Sequence, residues 1–200
     1  MTRVSVRLLE FCALALLFSF NALFSVALAN EVPRISFQEA AIKMREPGYL
    51  LMMRHAQTVA GIGDPEQFKL GDCSTQRNLS PEGREQAQRI GRAFAQAGIR
   101  FDEVRASQWC RTRETARLAF GSELPWPVLN STFRNRSEQP ERSRQIVEFG
   151  RTMNKSHNVM LVTHQLTITA LVGNWVDSGE VLAFRYENDR LTPQFRLTPP

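Results

Sequence analysis

The chain has 200 residues, of which 42% are hydrophobic and 22% charged, and its formal net charge is +5. That length and apolar content suit one domain with a buried core and exclude a disordered or low-complexity chain. The modest positive surplus is dispersed, and no Lys/Arg run is interleaved with aromatics, so a nucleic-acid partner is disfavoured and small anionic substrates fit better.

The first 29 residues read as a secretory signal peptide. Arg3 and Arg7 supply the positive start, an apolar stretch runs from about Phe11 to Ala29, and Ala27-Leu28-Ala29 closes it as a small-x-small cleavage site. The stretch is nearly long enough to span a bilayer, so an uncleaved anchor is the alternative. With cleavage, no stable membrane span remains, and residues 30–200 form a single periplasmic or secreted domain. Cys12 leaves with the leader. Cys73 and Cys110 stay, and two cysteines in an exported chain suggest one disulfide, two free buried thiols being the alternative.

The elements follow in order. Phe37, Ala40, Ala41 and Met44 keep helical spacing until Pro47-Gly48 stops them. Tyr49–Met53 is a short apolar strand buried on both faces. Residues 56–78 form a long loop, and loops of that length are usually functional or mobile. Ser80-Pro81-Glu82-Gly83 is a helix start, with a serine cap, proline in the first turn and an acid behind it. Ala87, Ile90, Phe94 and Ala97 continue that helix to Gly98. Phe101–Ala106 is a second strand, Ser107 opens a helix over Cys110–Phe120, and residues 125–129 are an extended edge piece because of their prolines. Residues 139–153 are helical, Asn158–Thr163 is a buried strand, Gln165–Trp175 is a helix, and two strands that can pair as a hairpin end the chain. Strands alternating with helices predict a three-layer α/β/α sandwich with a mostly parallel central sheet. In such sheets ligands bind beyond the carboxyl ends of the strands.

The residues at those strand ends carry the chemistry. His55 and His164 each follow an apolar strand directly, Arg54 accompanies the first, and Ser107 and Arg111 follow the second strand. Two arginines, two histidines and a helix start make a phosphate-sized anion site. The third histidine, His157, lies in the polar turn Lys155-Ser156-His157-Asn158 and reads as surface.

Four motifs resemble the histidine phosphatase superfamily, also called phosphoglycerate-mutase-like. "RHAQT" resembles its Arg-His-Gly-x-Thr signature, with Ala56 in place of glycine. "LSPEGREQA" matches its helix start through Leu79, Ser80, Gly83, Gln86 and Ala87. "SQWCRTRETA" matches through Ser107, Arg111, Thr112, Thr115 and Ala116, and "VMLVTHQ" through the strand ending in His164. The resemblance spans about residues 47–187 and implies a catalytic pair, His55 and His164. His55 would attack phosphorus to form a phosphohistidine, while Arg54, Arg111 and His164 bind the phosphoryl oxygens. It implies a small phosphorylated substrate and no metal or cofactor, and leaves the oligomeric state open. Some exported relatives act on phosphorylated lipopolysaccharide sugars, which points the expectation there.

Departures concern the proton donor. The glutamate that follows the third strand in the mutase-like branch is missing from Leu129-Asn130-Ser131-Thr132, Gln165 stands where the acid-phosphatase branch has an acid, and Gly61 stands in place of an asparagine. Asp64 and Glu138 are donor candidates by location only. A chain that kept the pocket and lost the acid would be a non-catalytic phosphate or phosphoglycan binder. A Cys73–Cys110 bond would tie the long loop to the helix presenting Arg111 and so brace the pocket.

Overall fold

The apolar runs become the centre of one six-stranded sheet. The computed structural model describes residues 31–61 and 63–200, so the leader expected over residues 1–29 lies outside the described residues. The strands are β1 (Leu50–Arg54), β2 (Glu103–Ala106), β3 (Leu124–Pro125), β4 (Val159–Thr163), β5 (Val181–Glu187) and β6 (Arg190–Leu197), in the order β3-β2-β4-β1-β5-β6. The pairs β3–β2, β2–β4 and β4–β1 are parallel, whereas β5 runs antiparallel to β1 and closes a hairpin with β6.

Successive side chains of a strand face opposite sides. Leu51 and Met53 therefore join one core with Met160, Val162 and Phe94, while Leu50 and Met52 join the other with Leu161, Ile146 and Ile168. Helices α1 (Phe37–Lys43), α2 (Pro81–Gln96) and α3 (Cys110–Phe120) supply the first core, and α4 (Gln139–Thr152) and α5 (Gln165–Val172) the second. This is the three-layer α/β/α arrangement that the alternation of patterns predicts.

Three boundaries differ from the sequence reading. β2 begins at Glu103, because Phe101 turns into an aromatic cluster with Phe94 and Phe120. The piece at 125–129 splits into two-residue β3 and a 3-10 turn over Pro127–Leu129, since Pro127 has no N–H with which to extend a ladder. Helix α5 stops at Val172, not Trp175, with Gly173 taking the left-handed cap position at φ 76°.

Candidate active site

The β1–β4 ladder builds the centre of the site. Arg54 is registered against Thr163, so the residue after each strand is a histidine. The His55 amide donates to the Thr163 carbonyl at 3.0 Å, and the His55 and His164 rings lie 5.5 Å apart, nearly perpendicular. One strand further on, the Ser107 amide donates to the Val162 carbonyl at 3.0 Å. Three of the residues expected at strand ends thus meet because neighbouring strands end at the same level.

His55 is held in one tautomer. Its Nδ1 is 2.8 Å from the Ala56 carbonyl, which can only accept, so Nδ1 carries the proton and Nε2 keeps its lone pair. The loop that supplies this carbonyl is itself pinned. The Ala56 amide donates to Thr115 Oγ1 (3.1 Å) and the Gln57 amide to Gln86 Oε1 (3.0 Å). Helix α2 presses on the same loop, since a Cβ on Gly83 would lie 1.9 Å from the Gln57 carbonyl oxygen. Burial first, and the positive charge of Arg111 second, push the His55 imidazole down to about 3, so it is neutral at physiological pH.

Arg111 is 4% exposed and grips Asp64 through both terminal nitrogens, Nη1 to Oδ1 at 2.8 Å and Nη2 to Oδ2 at 3.2 Å. Asp64 also accepts from the Arg77 amide (3.0 Å) and from Trp109 Nε1 (3.0 Å). Burial pushes its carboxyl up, but the bonds from Arg111, Arg77 and Trp109 outweigh burial and hold it below the ordinary carboxylate range. Asp64 is therefore neither a solvated surface residue nor a proton donor, and the sequence-based candidacy is corrected: it is the counter-charge that orients Arg111. Arg54 is oriented by Gln165 Oε1 (3.1 Å) and the Val176 carbonyl (2.9 Å), which gives Gln165 a function that its departure from an acid concealed.

Arg77, which sequence reasoning missed, donates to the Gly61 carbonyl and lines the same cleft. The Nε–H groups of Arg54, Arg77 and Arg111 are all buried without an acceptor. Arg54 and Arg111 line this cleft as well, so three guanidinium groups gather around it. Burial and the nearby Arg111 also drive the His164 imidazole well below its ordinary range. Its Nε2 contacts Ser107 Oγ at 2.7 Å, and its Nδ1 lies 3.5 Å from Arg111 Nη2.

The helix start does not serve as expected. Trp109, not Ser107, is the cap residue of α3. The amides of Gln108, Trp109 and Cys110 are spent on Asn130 Oδ1, Ser107 Oγ and Gln76 Oε1.

The cleft above these groups has a volume of about 520 Å³. Phe68, Trp109, Phe133 and Trp175 contribute aromatic wall, and Glu138 lines it as well. Glu138 is paired with Arg142 and accepts from Asn135, so it sits at the site while already engaged. Cys73 and Cys110 are bonded, with their Cα atoms 5.7 Å apart, and join the long loop to the residue before Arg111. Among the described residues, no helix is long and apolar enough to cross a membrane.

The profile of the histidine phosphatase superfamily (branch 1) matches residues 50–132 of the chain, from β1 through Arg111 to the loop beyond β3. Residues 50–132 of this chain are therefore similar to that superfamily. His164 lies beyond the matched segment, and the β1–β4 pairing brings it to His55. Among curated proteins, the mitochondrial serine/threonine-protein phosphatase Pgam5 of Drosophila persimilis is 36% identical over 65 residues, 32% of this chain and 22% of that protein. The chain thus matches about a fifth of the length of that relative. Among solved structures, a protein assigned as an alpha-ribazole-5'-P phosphatase from Escherichia coli aligns with a TM-score of 0.56 at 21% identity, covering 74% of this chain and 95% of the other. A mutant phosphoserine phosphatase from Entamoeba histolytica, in complex with phosphoserine, aligns at 0.55 and 12% identity over 74% and 95%. Both likenesses are of fold.

Proposed function

We propose that this protein is an exported phosphatase that hydrolyses phosphate monoesters through a phosphohistidine at His55, acting on phosphorylated sugars of the cell envelope. The observation that carries the reading is a neutral His55 whose Nδ1–H is committed to the Ala56 carbonyl, in a cleft also lined by Arg54, Arg77 and Arg111. Phosphoryl transfer needs an aligned nucleophile and fixed positive charge, and little else from the protein. His55 Nε2 attacks phosphorus, and the bond to the ester oxygen breaks. Arg54, Arg77, Arg111 and His164 hold the other oxygens. The leaving alkoxide takes a proton from Glu138 or from water. Water then attacks the phosphohistidine, its proton returns to the group that protonated the alkoxide, the P–N bond breaks, and inorganic phosphate leaves with His55 neutral again. The bonded Cys73–Cys110 pair supports the exported reading, because disulfides persist in oxidising compartments.

One observation favours the binder reading: Asp64 is saturated by donors and Glu138 is ion-paired, so no carboxyl in the cleft stands free. A panel of phosphate esters assayed across pH, with His55→Ala as control, separates the two. A phosphatase turns over at least one ester, traps an acid-labile phosphohistidine, and loses both in the variant. Absence of turnover on every ester, with phosphate binding retained, overturns the catalytic reading.

A further inference from the structure

The cleft holds more positive charge than one phosphate needs. Six arginines line it (Arg54, Arg77, Arg111, Arg134, Arg136 and Arg142), against two carboxylates, Asp64 and Glu138. The two histidines add no charge, since burial keeps both neutral. A phosphate monoester dianion offsets only half of that surplus.

The uncancelled charge lies away from the nucleophile. Arg134 is fixed by carbonyls alone, donating to Glu66 (2.7 Å), Asp64 (2.8 Å) and Pro65 (2.8 Å). Its position is therefore set while its charge remains. Arg136 makes no salt bridge among the described residues, and its guanidinium lies 5.9 Å from the Phe133 ring. Between this pair and the nucleophile runs an aromatic wall. His164 is 5.4 Å from Trp109, Trp109 is 5.4 Å from Phe68, and Phe68 is 5.0 Å from the Arg134 guanidinium. Trp109 and Phe68 thus form a continuous aromatic lining from His164 to Arg134.

We infer that Arg134 and Arg136 form a second anion subsite, and that the substrate is a phosphate monoester carrying another phosphate or carboxylate, its connecting ring laid along Trp109 and Phe68. This rests on the phosphatase reading and narrows its substrate class. Doubly anionic substrates gain a charge-assisted contact that simple monoesters lack. The gain is electrostatic and at the cleft mouth, so salt should erode it.

The test compares glucose 1,6-bisphosphate with glucose 6-phosphate at low ionic strength. The expected result is a kcat/KM about tenfold higher for the bisphosphate. That ratio should shrink in high salt and fall toward one in Arg136→Gln. Arg134→Gln should lower it too, but that side chain also anchors the 64–66 loop, so Arg136→Gln is the cleaner variant. Turnover of both esters with a ratio near one, or a ratio untouched by Arg136→Gln, overturns the subsite. If neither ester is turned over, calorimetry on His55→Ala decides. Tighter bisphosphate binding that Arg136→Gln abolishes keeps the subsite while the phosphatase reading falls. Equal binding of the two removes both.

Discussion

Replacing Cys73 with serine isolates the contribution of the cross-link. Cys73 is exposed and Cys110 is buried, so Cys73→Ser removes the bond without burying a new hydroxyl. The bonded residues are 37 apart in sequence. Cross-linking a loop of that length removes chain entropy from the unfolded state equivalent to about 4 kcal/mol at 25 °C. For a domain of this size each kcal/mol moves the midpoint by roughly 2–4 °C, so Tm should fall by about 8–16 °C. The loop keeps other ties to α3, through Gln76 to the Cys110 amide and Asp64 to Arg111. Turnover well below the new midpoint should accordingly fall far less than stability does. The assay is thermal unfolding by circular dichroism, run on protein made under oxidising conditions, with reduced wild type as a second arm. Both arms should drop together. A variant that melts within about 2 °C of oxidised wild type, less than the shift from a single kcal/mol, would refute the idea that the bond braces this loop.

Other expectations concern single groups. The folded pKa of His55 is depressed to about 3, so the unfolded chain binds its proton first as pH falls. The stability from keeping His55 neutral is whole above about pH 6.5 and is lost toward pH 3, amounting to about 3 kcal/mol by pH 4.5. Urea unfolding at pH 7 and pH 4.5 should show His55→Gln losing less than wild type; an equal loss would contradict the neutral, buried nucleophile. Asp64→Asn should cost on the order of 3 kcal/mol by leaving Arg111 without its counter-charge, yet keep the acid–base profile of kcat. A shifted profile would return Asp64 to the role of proton donor. Glu138→Gln should slow alkyl phosphates about a hundredfold while sparing p-nitrophenyl phosphate, whose leaving group needs no acid; equal slowing of both would exclude Glu138 as the acid. Gly83→Ala should destabilise by about 1–3 kcal/mol despite the better helix propensity of alanine, because its Cβ collides with the Gln57 carbonyl. An unchanged urea midpoint would show that α2 can retreat from the loop freely.

The parts of the site that lie at strand ends were legible in the sequence. Leu50–Met53 and Val159–Val162 are apolar without alternation, which marks central parallel strands, and such strands present their next residue to a ligand. His55, His164 and Arg54 follow from that rule alone. The groups that orient them did not. Asp64, Arg77 and Gln165 act through partners distant in sequence and carry no periodic signal, so each looked like loop or like a missing acid. Ser107 was visible as polar after a strand, but its actual partner, the His164 ring, depends on the β2–β4 register and not on any local cap preference. The prolines at 125 and 127 signalled an edge correctly, whereas the helical turn after β3 depends on how Leu129 packs under Thr163, whose hydroxyl donates to its carbonyl at 2.8 Å.

The β1–β4 ladder has a consequence for assembly of the protein itself. His55, the proposed nucleophile, and His164 come from segments far apart in the chain, and neither finds its neighbour until a non-local parallel pairing has formed. Such pairings are late events in folding. The proposed phosphate pocket is therefore completed only when the sheet is, and an anion that bound it would draw the whole folding equilibrium forward by mass action. Inorganic phosphate or a phosphate analogue added during refolding should act as a gauge of the finished fold, silent on collapsed intermediates and responsive only to chains whose central strands have found each other.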